Sequence, residues 1–430
     1  MTNYRICRIS RVAYKPALAS LYVRDPALVD ASYDAQLQAF FDNSLIYSDS
    51  FSDAMRARGN DAIELISNAE SIQKTWAHEH GAAYGAVDWI REILYAQIEA
   101  IRPDVIFIQG LSTNPENFQS TRAFRERFPF VRLVVGYSGA FSSLDKLEGL
   151  DAVIGSLPFL RDYYAASGVP SHMVYHSFDP RSFGRIGGAP KWRPRFSMQD
   201  RPYALTFTGT SGVGHGPVHT PRYWELLQVM LDQPLECWLD EGDSNATKAE
   251  QINQTVQMTN LVEGLRSSAA RQGSALAVQA LRDMLAETLG DDQPILPLAG
   301  LFPDRCHPPV YGIDMLGVLG QSRITLNRHT GEMGAKFFGN MRAFEATGMG
   351  ACFVSDAGSN VNELFEPDSE IVTYASADEA IEKISYLKEH DAARMAIAQA
   401  GQARTLREHT STHRSHTFHE IISNALRMAA

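Results

Sequence analysis

The chain has 430 residues, of which 44% are hydrophobic and 21% charged, and its formal net charge is −11. This length suits two to three domains, and the composition provides for a large core and argues against wholesale disorder. The negative balance disfavours nonspecific binding to DNA or to anionic membranes, although a local basic cleft remains compatible with it.

The cysteine pattern and the hydropathy indicate a protein of a reducing, aqueous compartment. The four cysteines (Cys7, Cys237, Cys306 and Cys352) form no CxxC pair, and Cys7 and Cys352 lie in apolar runs that predict buried free thiols. No apolar run is long enough to cross a membrane, and the start MTNYRICRIS lacks the apolar core of a signal peptide. We therefore expect a cytoplasmic protein whose only membrane contact would be peripheral.

The first half alternates short apolar runs with helical patterns, which predicts a parallel sheet covered on both faces. The predicted strands are residues 4–9, 62–66, 105–109, 131–136, 152–155 and 172–176. The predicted helices are residues 35–58, 87–101, 117–127 and 159–167. These elements form an N-terminal Rossmann-like domain over residues 1–180.

A linker follows, because the stretch 178–200 is rich in Pro, Gly and Arg and lacks periodicity. We place the linker proper at residues 181–200. The second half, residues 201–405, restarts the alternation as a C-terminal Rossmann-like domain. Its polar stretch at about 243–292 is predicted to be a helical insertion, and residues 406–430 a final helix that returns to the first domain.

The strands of this second domain are predicted from six further apolar runs, at residues 203–208, 235–239, 295–298, 324–327, 351–355 and 371–374. Helices are predicted at 377–389 and 392–409. Two such sheets joined by a linker are expected to bind ligands between the domains, at the carboxyl ends of the strands.

The stretch 324–363 carries most of the chemistry, because it reads as strand, Gly-rich loop, helix, strand and second loop. Arg328 and His329 follow the first of these strands and are suited to neutralise and hydrogen-bond a diphosphate. A histidine at a strand end is also often a satisfied structural residue. The second loop contains Gly358, Ser359 and Asn360 and offers backbone donors near the same place, or is an ordinary loop.

The helix that begins near Asn340 carries Arg342 and Glu345, three residues apart on one face. A carboxylate at this position can accept hydrogen bonds from a ribose diol, as acidic residues do in dinucleotide sites. The alternative is a surface ion pair between Arg342 and Glu345, worth only a few tenths of a kcal/mol.

A third Gly-rich loop follows residues 203–208 and begins with Gly209, Thr210 and Ser211. It matches neither the GxGxxG nor the P-loop pattern, so it is an anion nest or a flexible hairpin. Arg222 is close enough in sequence to reach a phosphate. In the first half, Arg8 and other polar residues near strand ends are expected to line the acceptor side. No motif for a tightly held metal is present.

These segments resemble the CgeB-like (spore-maturation-protein-like) branch of GT-B glycosyltransferases. The resemblance is carried by LNRH at 326–329, NMRAFEATGMG at 340–350 and ELFEP at 363–367, and more weakly by 151–178 and 396–413. It implies an α/β GT-B fold of two Rossmann-like domains, with the nucleotide-sugar donor on the second and the acceptor mostly on the first.

By this resemblance, Glu345 matches the glutamate that holds the nucleotide ribose, and Gly339 and Asn340 match positions near the donor sugar and phosphates. The chain departs from retaining GT-B enzymes at Phe337, where these carry a second glutamate. Glu332 is the candidate that supplies this carboxylate instead. We expect a metal-independent glycosyltransferase with no cofactor besides the nucleotide-sugar co-substrate and no nucleic-acid partner. A sugar-nucleotide 2-epimerase and a noncatalytic nucleotide- or sugar-binding protein are the alternatives.

Overall fold

The computed structural model describes residues 3–12, 15–43, 48–111, 118–188, 200–241, 258–290, 296–330 and 337–428. The chain divides into two compact units. The first comprises Met1–Arg185, Tyr311–Ile313 and Glu408–Ala430, and the second comprises Ile186–Val310 and Asp314–Arg407. Each unit is built around one six-stranded parallel sheet, as the alternation of strands and helices predicts.

The sheet of the first unit has the strand order β2-β1-β3-β4-β5-β6. Its strands are β1 (Arg5–Ser10), β2 (Asp61–Ile66), β3 (Val105–Gln109), β4 (Leu133–Ser138), β5 (Ala152–Gly155) and β6 (Ser171–Met173). All six predicted strands are present, and β3 and β5 have the predicted bounds. These predictions succeed because parallel strands buried on both faces are continuous apolar runs in the sequence.

Helices surround this sheet, and one prediction is corrected there. The α-helices are Lys15–Arg24, Tyr33–Asp42, Ser50–Arg56, Glu70–Glu79, Trp89–Ile101, Arg122–Arg127, Pro158–Ala165 and Ser182–Gly188. The single helix predicted over 35–58 is wrong, because the helix Tyr33–Asp42 ends with Asn43 as its C-cap, and a separate helix begins at Ser50. Part of the predicted linker is also regular, as the helix Ser182–Gly188.

The core of the first unit includes the helix Ser411–Met428 from the far end of the sequence. Phe418, Ile422 and Leu426 on this helix are buried in one apolar cluster with Tyr4 and Phe107 of the sheet region. Phe418 lies 5.3 Å from Phe107 between ring centroids. The core of the first unit is therefore completed by a stretch of chain that follows most of the second unit in sequence.

Arg8 does not line a binding surface, contrary to the prediction. Its Nε lies 2.6 Å from Oε2 of Glu64 on β2, and both side chains are buried. The two residues are directly opposite each other in the β1–β2 register, so the pair lies within the sheet. Burial raises the pKa of Glu64, while the adjacent Arg8 acts in the opposite direction.

The sheet of the second unit has the order β12-β11-β10-β7-β8-β9. Its strands are β7 (Tyr203–Thr210), β8 (Glu236–Asp240), β9 (Cys306–His307), β10 (Ser322–Asn327), β11 (Cys352–Asp356) and β12 (Val372–Tyr374). This is the strand order of doubly wound dinucleotide-binding sheets. Strands β8 and β9 are added on one side of β7 and strands β10 to β12 on the other, so the strand order reverses between β7 and β10. Ligands of such sheets bind in the crevice beyond the carboxyl ends of the strands at that point.

The strand predicted at 295–298 is wrong, because Leu298 begins a short helix, Leu298–Leu301, directly after Pro297. Leu298 and Leu301, one helical turn apart, are both buried in the core. A short apolar run cannot distinguish a strand from a buried turn of helix. The sixth strand is instead β9, whose two residues show no strand pattern in the sequence.

The longer helices of the second unit cover both faces of its sheet. They are Thr220–Asp232, Met258–Gln272, Ser274–Leu289, Gly312–Gly320, Met341–Gly348, Ala377–Glu389 and Asp391–Glu408, and Val361–Leu364 forms a further short turn. Met258–Gln272 and Ser274–Leu289 occupy the predicted insertion, and their Leu265 and Leu281 are buried with Trp224 in the main core. In the described parts of the chain, no helix is long and apolar enough to span a membrane.

Candidate functional site

The polar segments singled out in the second half lie at the carboxyl ends of β7, β10 and β11. These three strands are neighbours in the sheet, and Asn327 on β10 is aligned with Ser355 on β11. Because the strands are parallel, the loops beginning at Ser211, Arg328 and Ala357 all leave from the same edge, and the predicted loop residues Gly209 and Thr210 are the last two residues of β7. This edge includes the reversal point between β7 and β10.

Amide side chains connect these strand ends. Asn327 donates from Nδ2 to Ser355 Oγ at 2.8 Å and accepts at Oδ1 from Nδ2 of Asn340 at 2.9 Å. Asn360 binds the backbone of Phe338 in both directions, with N–H···O and N–H···O=C distances of 2.7 and 2.9 Å. The start of the helix Met341–Gly348 is thereby fixed to β10 and to the loop after β11.

Arg328 is held between two carboxylates. Its Nε lies 2.9 Å from Oε2 of Glu225 on the helix Thr220–Asp232, and its Nη1 pairs with Oδ2 of Asp356 at the end of β11. Tyr374 on β12 donates its hydroxyl to the other oxygen of Glu225. The Arg328 charge is therefore balanced within the protein, whereas the sequence suggested a cation available to a diphosphate.

Arg222 is also occupied by the protein itself. Its Nε and Nη2 donate to the carbonyl of Arg328 at 3.0 and 2.8 Å, and its Nη1 donates to Thr210 Oγ1 at 2.7 Å. Burial lowers the pKa of Arg222 to about 10. Arg222 therefore ties the loop after β7 to the end of β10, and a direct role at a phosphate would require it to leave these partners.

The loop after β7 is packed closely and is not a hairpin, because β7 and β8 are parallel. Ser211 is fully buried and accepts at Oγ from the backbone N–H of Val213. Gly209 and Gly212 have φ values of 151° and 108°, and a Cβ on Gly212 would lie 2.7 Å from the carbonyl oxygen of His219. Only glycine fits this position without moving the backbone.

Glu345 and Arg342 form an ion pair that is largely buried. Arg342 Nη1 lies 2.7 Å from Oε2 of Glu345, and the two side chains are 16% and 15% exposed. Arg342 Nη2 also approaches the carbonyl of Thr208 on β7 at 3.4 Å. Burial raises the pKa of Glu345, and the attraction of Arg342 opposes this shift. The surface pair that the sequence also allowed is not what the structure contains.

Besides Arg328 Nε, which contacts Glu225 as an ion pair, three polar atoms at this edge are buried without a hydrogen-bond partner among the described residues. They are Thr208 Oγ1 at the end of β7, His329 Nε2 after β10 and Asn340 Oδ1 at the start of the helix Met341–Gly348. The Asn340 side chain does not cap its own helix. Unsatisfied buried polar atoms cost free energy, so their convergence at one edge indicates a place where a polar ligand supplies the missing partners.

The other residues predicted for the site differ from one another in burial and in what they contact. Glu332 lies outside the described residues. Gly339 is buried with a φ of 129°, and Ser359 is exposed. Gly358 faces the protein's own backbone, since a Cβ there would lie 2.4 Å from the nitrogen of Phe338. No group of three His, Cys, Asp or Glu side chains placed to hold a metal occurs in the parts of the chain that are described.

Sequence reasoning missed Glu225, Asp356 and Tyr374. Asp356 stands at the start of the loop already singled out after β11, and its position at a strand end was the available clue. Glu225 lies three residues after Arg222, a spacing that places both on one helix face. Nothing in the local sequence distinguishes Tyr374, which joins the site because β12 is the neighbour of β11.

The stability of the protein should depend on pH through Glu225, whose pKa burial raises to about 7. Between pH 4.5 and 7 the folded protein binds a proton at Glu225 that the unfolded chain releases, so this group's contribution to stability falls as the pH rises. We expect Glu225→Gln to remove this contribution, which is at most about 3 kcal/mol.

The measurement is the difference in unfolding free energy between wild type and Glu225→Gln at pH 5 and at pH 8. The variant should gain relative to wild type at the higher pH. Glu126→Gln, which removes an exposed carboxylate paired with Arg122, serves as the control and should follow wild type at both values. A difference between wild type and Glu225→Gln that is the same at both pH values would contradict the prediction.

The two six-stranded parallel sheets with their surrounding helices define the GT-B fold. The chain is similar to Alr3699/HepE from Anabaena in complex with UDP-glucose, with 11% identity, a TM-score of 0.55, and coverage of 98% of this chain and 100% of that one. It is also similar to an alpha-glucosyltransferase in complex with UDP-glucose and DNA containing an abasic site, at 10% identity, a TM-score of 0.52 and the same coverage.

A third similar structure is sucrose-phosphate synthase from Thermosynechococcus elongatus, with 10% identity, a TM-score of 0.50 and full coverage of both chains. At these identities the likeness establishes the fold. A family model described as glycosyl transferase-like matches residues 271–420, which include β10, β11 and the helix Met341–Gly348. No curated protein matches the chain by sequence.

Proposed function

We propose that this protein is a glycosyltransferase that takes a sugar from a nucleoside diphosphate and binds this donor at the β7–β10–β11 edge of the second unit. The observation that carries the proposal is the buried carboxylate of Glu345, one turn into the helix that follows β10. Two neighbours of the fold hold UDP-glucose in their solved complexes, which supports a nucleotide-sugar as the ligand.

In this proposal the Glu345 carboxylate accepts hydrogen bonds from the ribose hydroxyls, and the charge of Arg342 favours its ionised form against the effect of burial. The diphosphate lies at the N-terminus of the helix Met341–Gly348. The backbone amides there, which the Asn340 side chain leaves uncapped, provide positive partial charge. The oxygen of Asn340 and the hydroxyl of Thr208 lose their unsatisfied state when the donor binds.

The reaction requires stabilisation of the departing diphosphate. The bond between the anomeric carbon and the diphosphate oxygen breaks and leaves its electron pair on that oxygen. The acceptor hydroxyl forms the new bond to carbon and releases its proton. Preorganised donors facing the oxygen that gains charge lower the barrier to this step. The proposal includes metal independence, hexosyl transfer, a cytoplasmic location, an acceptor bound mainly by the first unit and membership of the CgeB-like branch.

The test of the donor site is thermal unfolding with UDP, GDP, CDP, dTDP and their sugars. A ligand at 100 times its dissociation constant adds about 2.7 kcal/mol to the stability of the folded state. We expect one nucleotide series to raise the unfolding temperature, and we expect Glu345→Ala to lose that shift. Glu345→Gln keeps the packing of the side chain and should lose most of it, because the neutral amide is a weaker acceptor.

Glu99→Ala is the matched control, since Glu99 also pairs with an arginine three residues away but lies exposed in the first unit. This variant should retain the full nucleotide-dependent rise in unfolding temperature. The transferase activity itself is measured as nucleotide release from the donor in the presence of EDTA. Release that requires an added acceptor separates a transferase from an epimerase or a binding protein. Folded protein that responds to no nucleotide would remove the basis of the proposal.

A further inference from the structure

His329 is held by Asp356 through two contacts on one oxygen. Asp356 Oδ1 accepts from the backbone N–H of His329 at 2.9 Å and lies 2.7 Å from Nδ1 of its ring. The ring also packs edge-on against Phe338, with 5.5 Å between centroids. The histidine is only 4% exposed, and because an ionised carboxylate can only accept, Nδ1 is assigned the proton that is donated to Asp356.

The other ring nitrogen, Nε2, is the one that Asp356 does not contact. Nε2 of His329 is buried and has no partner among the described residues. With Nδ1–H given to Asp356, Nε2 is an acceptor when the imidazole is neutral and a donor only when it is cationic. A diphosphate offers only acceptor oxygens. A neutral His329 would therefore face the donor with a lone pair, whereas an imidazolium would face it with a hydrogen bond and a charge.

Charged side chains surround the strand end that carries His329. Beyond Asp356, the charged or titratable groups in this part of the described structure include Arg328, Glu225, Arg222 and Tyr374, together with the Arg342–Glu345 pair on the neighbouring helix. Arg328 pairs with Glu225 and shares Asp356 with His329, so its charge is balanced, and Arg222 directs its donors to the Arg328 carbonyl and to Thr210. Burial opposes ionisation of Asp356, but its interactions with His329 and Arg328 lower its pKa.

We propose that Asp356 is a positioning residue that makes His329 an imidazolium when the donor binds, so that binding of the diphosphate takes up a proton. Nε2–H then donates to the diphosphate oxygen that receives the electron pair of the broken glycosyl bond. His329 keeps its proton throughout this step, and the proton released by the acceptor hydroxyl passes to water. This inference rests on the donor site proposed above and adds to it the source of the positive charge.

Proton uptake is measured directly by titration calorimetry at pH 8 in two buffers of different ionisation enthalpy. The probes are UDP and GDP, each compared with its monophosphate. At this pH the wild type should take up about one proton per bound diphosphate. The monophosphate, which lacks the second phosphate, should bind with little or no uptake.

Two variants assign the proton. His329→Gln should abolish the uptake and weaken diphosphate binding about tenfold, the usual loss for a hydrogen bond to a charged group. Its affinity for the monophosphate should change less than twofold. Asp356→Asn keeps an oxygen for Nδ1–H but removes the negative charge, so it should also lose the uptake. If this variant fails to fold, the wild-type and His329→Gln titrations still decide the question.

His307→Gln is the matched control. His307 Nε2 also lies 2.7 Å from a carboxylate oxygen, that of Glu236, but the pair is partly exposed on the edge strand β9. This variant should keep both the proton uptake and the wild-type affinities. Diphosphate binding without proton uptake, or with uptake that persists in His329→Gln, would overturn the inference and leave the donor site standing. Failure of both diphosphates to bind would instead count against the donor site.

Discussion

Replacing Arg328 by methionine is expected to lower the free energy of unfolding by about 3–5 kcal/mol, among the largest effects of any substitution in the second unit. Methionine fills a similar volume but leaves Glu225 and Asp356 without the cation that separates them. Two largely buried carboxylates then face each other in a medium that solvates neither. Chemical denaturation at pH 8 measures this loss.

Arg122→Met gives the reference for an arginine in an ion pair, because Arg122 is 92% exposed and pairs with Glu126. That change should cost less than about 1 kcal/mol. Adding Glu225→Gln to Arg328→Met should restore part of the lost stability, since one of the two uncompensated charges is then removed. Equal stabilities of Arg328→Met and Arg122→Met would show that the buried network contributes nothing.

Gly358→Ala is expected to cost about 1–3 kcal/mol and to abolish the nucleotide-dependent rise in unfolding temperature. The new Cβ would lie 2.4 Å from the nitrogen of Phe338 and 2.7 Å from the carbonyl carbon of Phe337. The obstructing atoms are backbone, so the clash cannot be relieved by a side-chain rotation. The segment before Asn340 must move, and with it the start of the helix that carries Glu345.

Gly264→Ala separates this steric effect from the general consequence of adding a methyl group. Gly264 lies within the helix Met258–Gln272, and nothing lies within 4 Å of a Cβ built there. Alanine favours helix over glycine by about 1 kcal/mol, so this variant should be as stable as wild type or more so. A Gly358→Ala protein with normal stability and a normal nucleotide response would refute the proposed role of the close contact.

The fold was predictable because its strands are buried on both faces. Runs such as 105–109 and 152–155 are almost wholly apolar and begin and end where the structure places β3 and β5. The strand predictions failed where a segment is too short for its sequence to distinguish a strand from other structure. The apolar run at 295–298 fits a strand as well as a turn of helix, and β9 is too short to show any alternation.

The candidate site was only partly predictable, because its residues come together through sheet order. The polar residues that follow β7, β10 and β11 could be found one loop at a time. The partners of Arg328, however, come from a helix about a hundred residues earlier and from a strand end 28 residues later. No local pattern links them, so the sequence suggested a free cation where the folded chain has a neutralised one.

The helix Ser411–Met428 has a consequence for how the protein is made. Its side chains complete the core that Tyr4 and Phe107 begin, but residues 186–407 are synthesised in between. At about 5–20 residues per second, the first unit spends on the order of 10–50 seconds outside the ribosome with this apolar face uncovered. Chaperones that hold nascent chains should therefore engage the first 185 residues until the C-terminal helix emerges, whereas the second unit can fold as soon as its own residues are made.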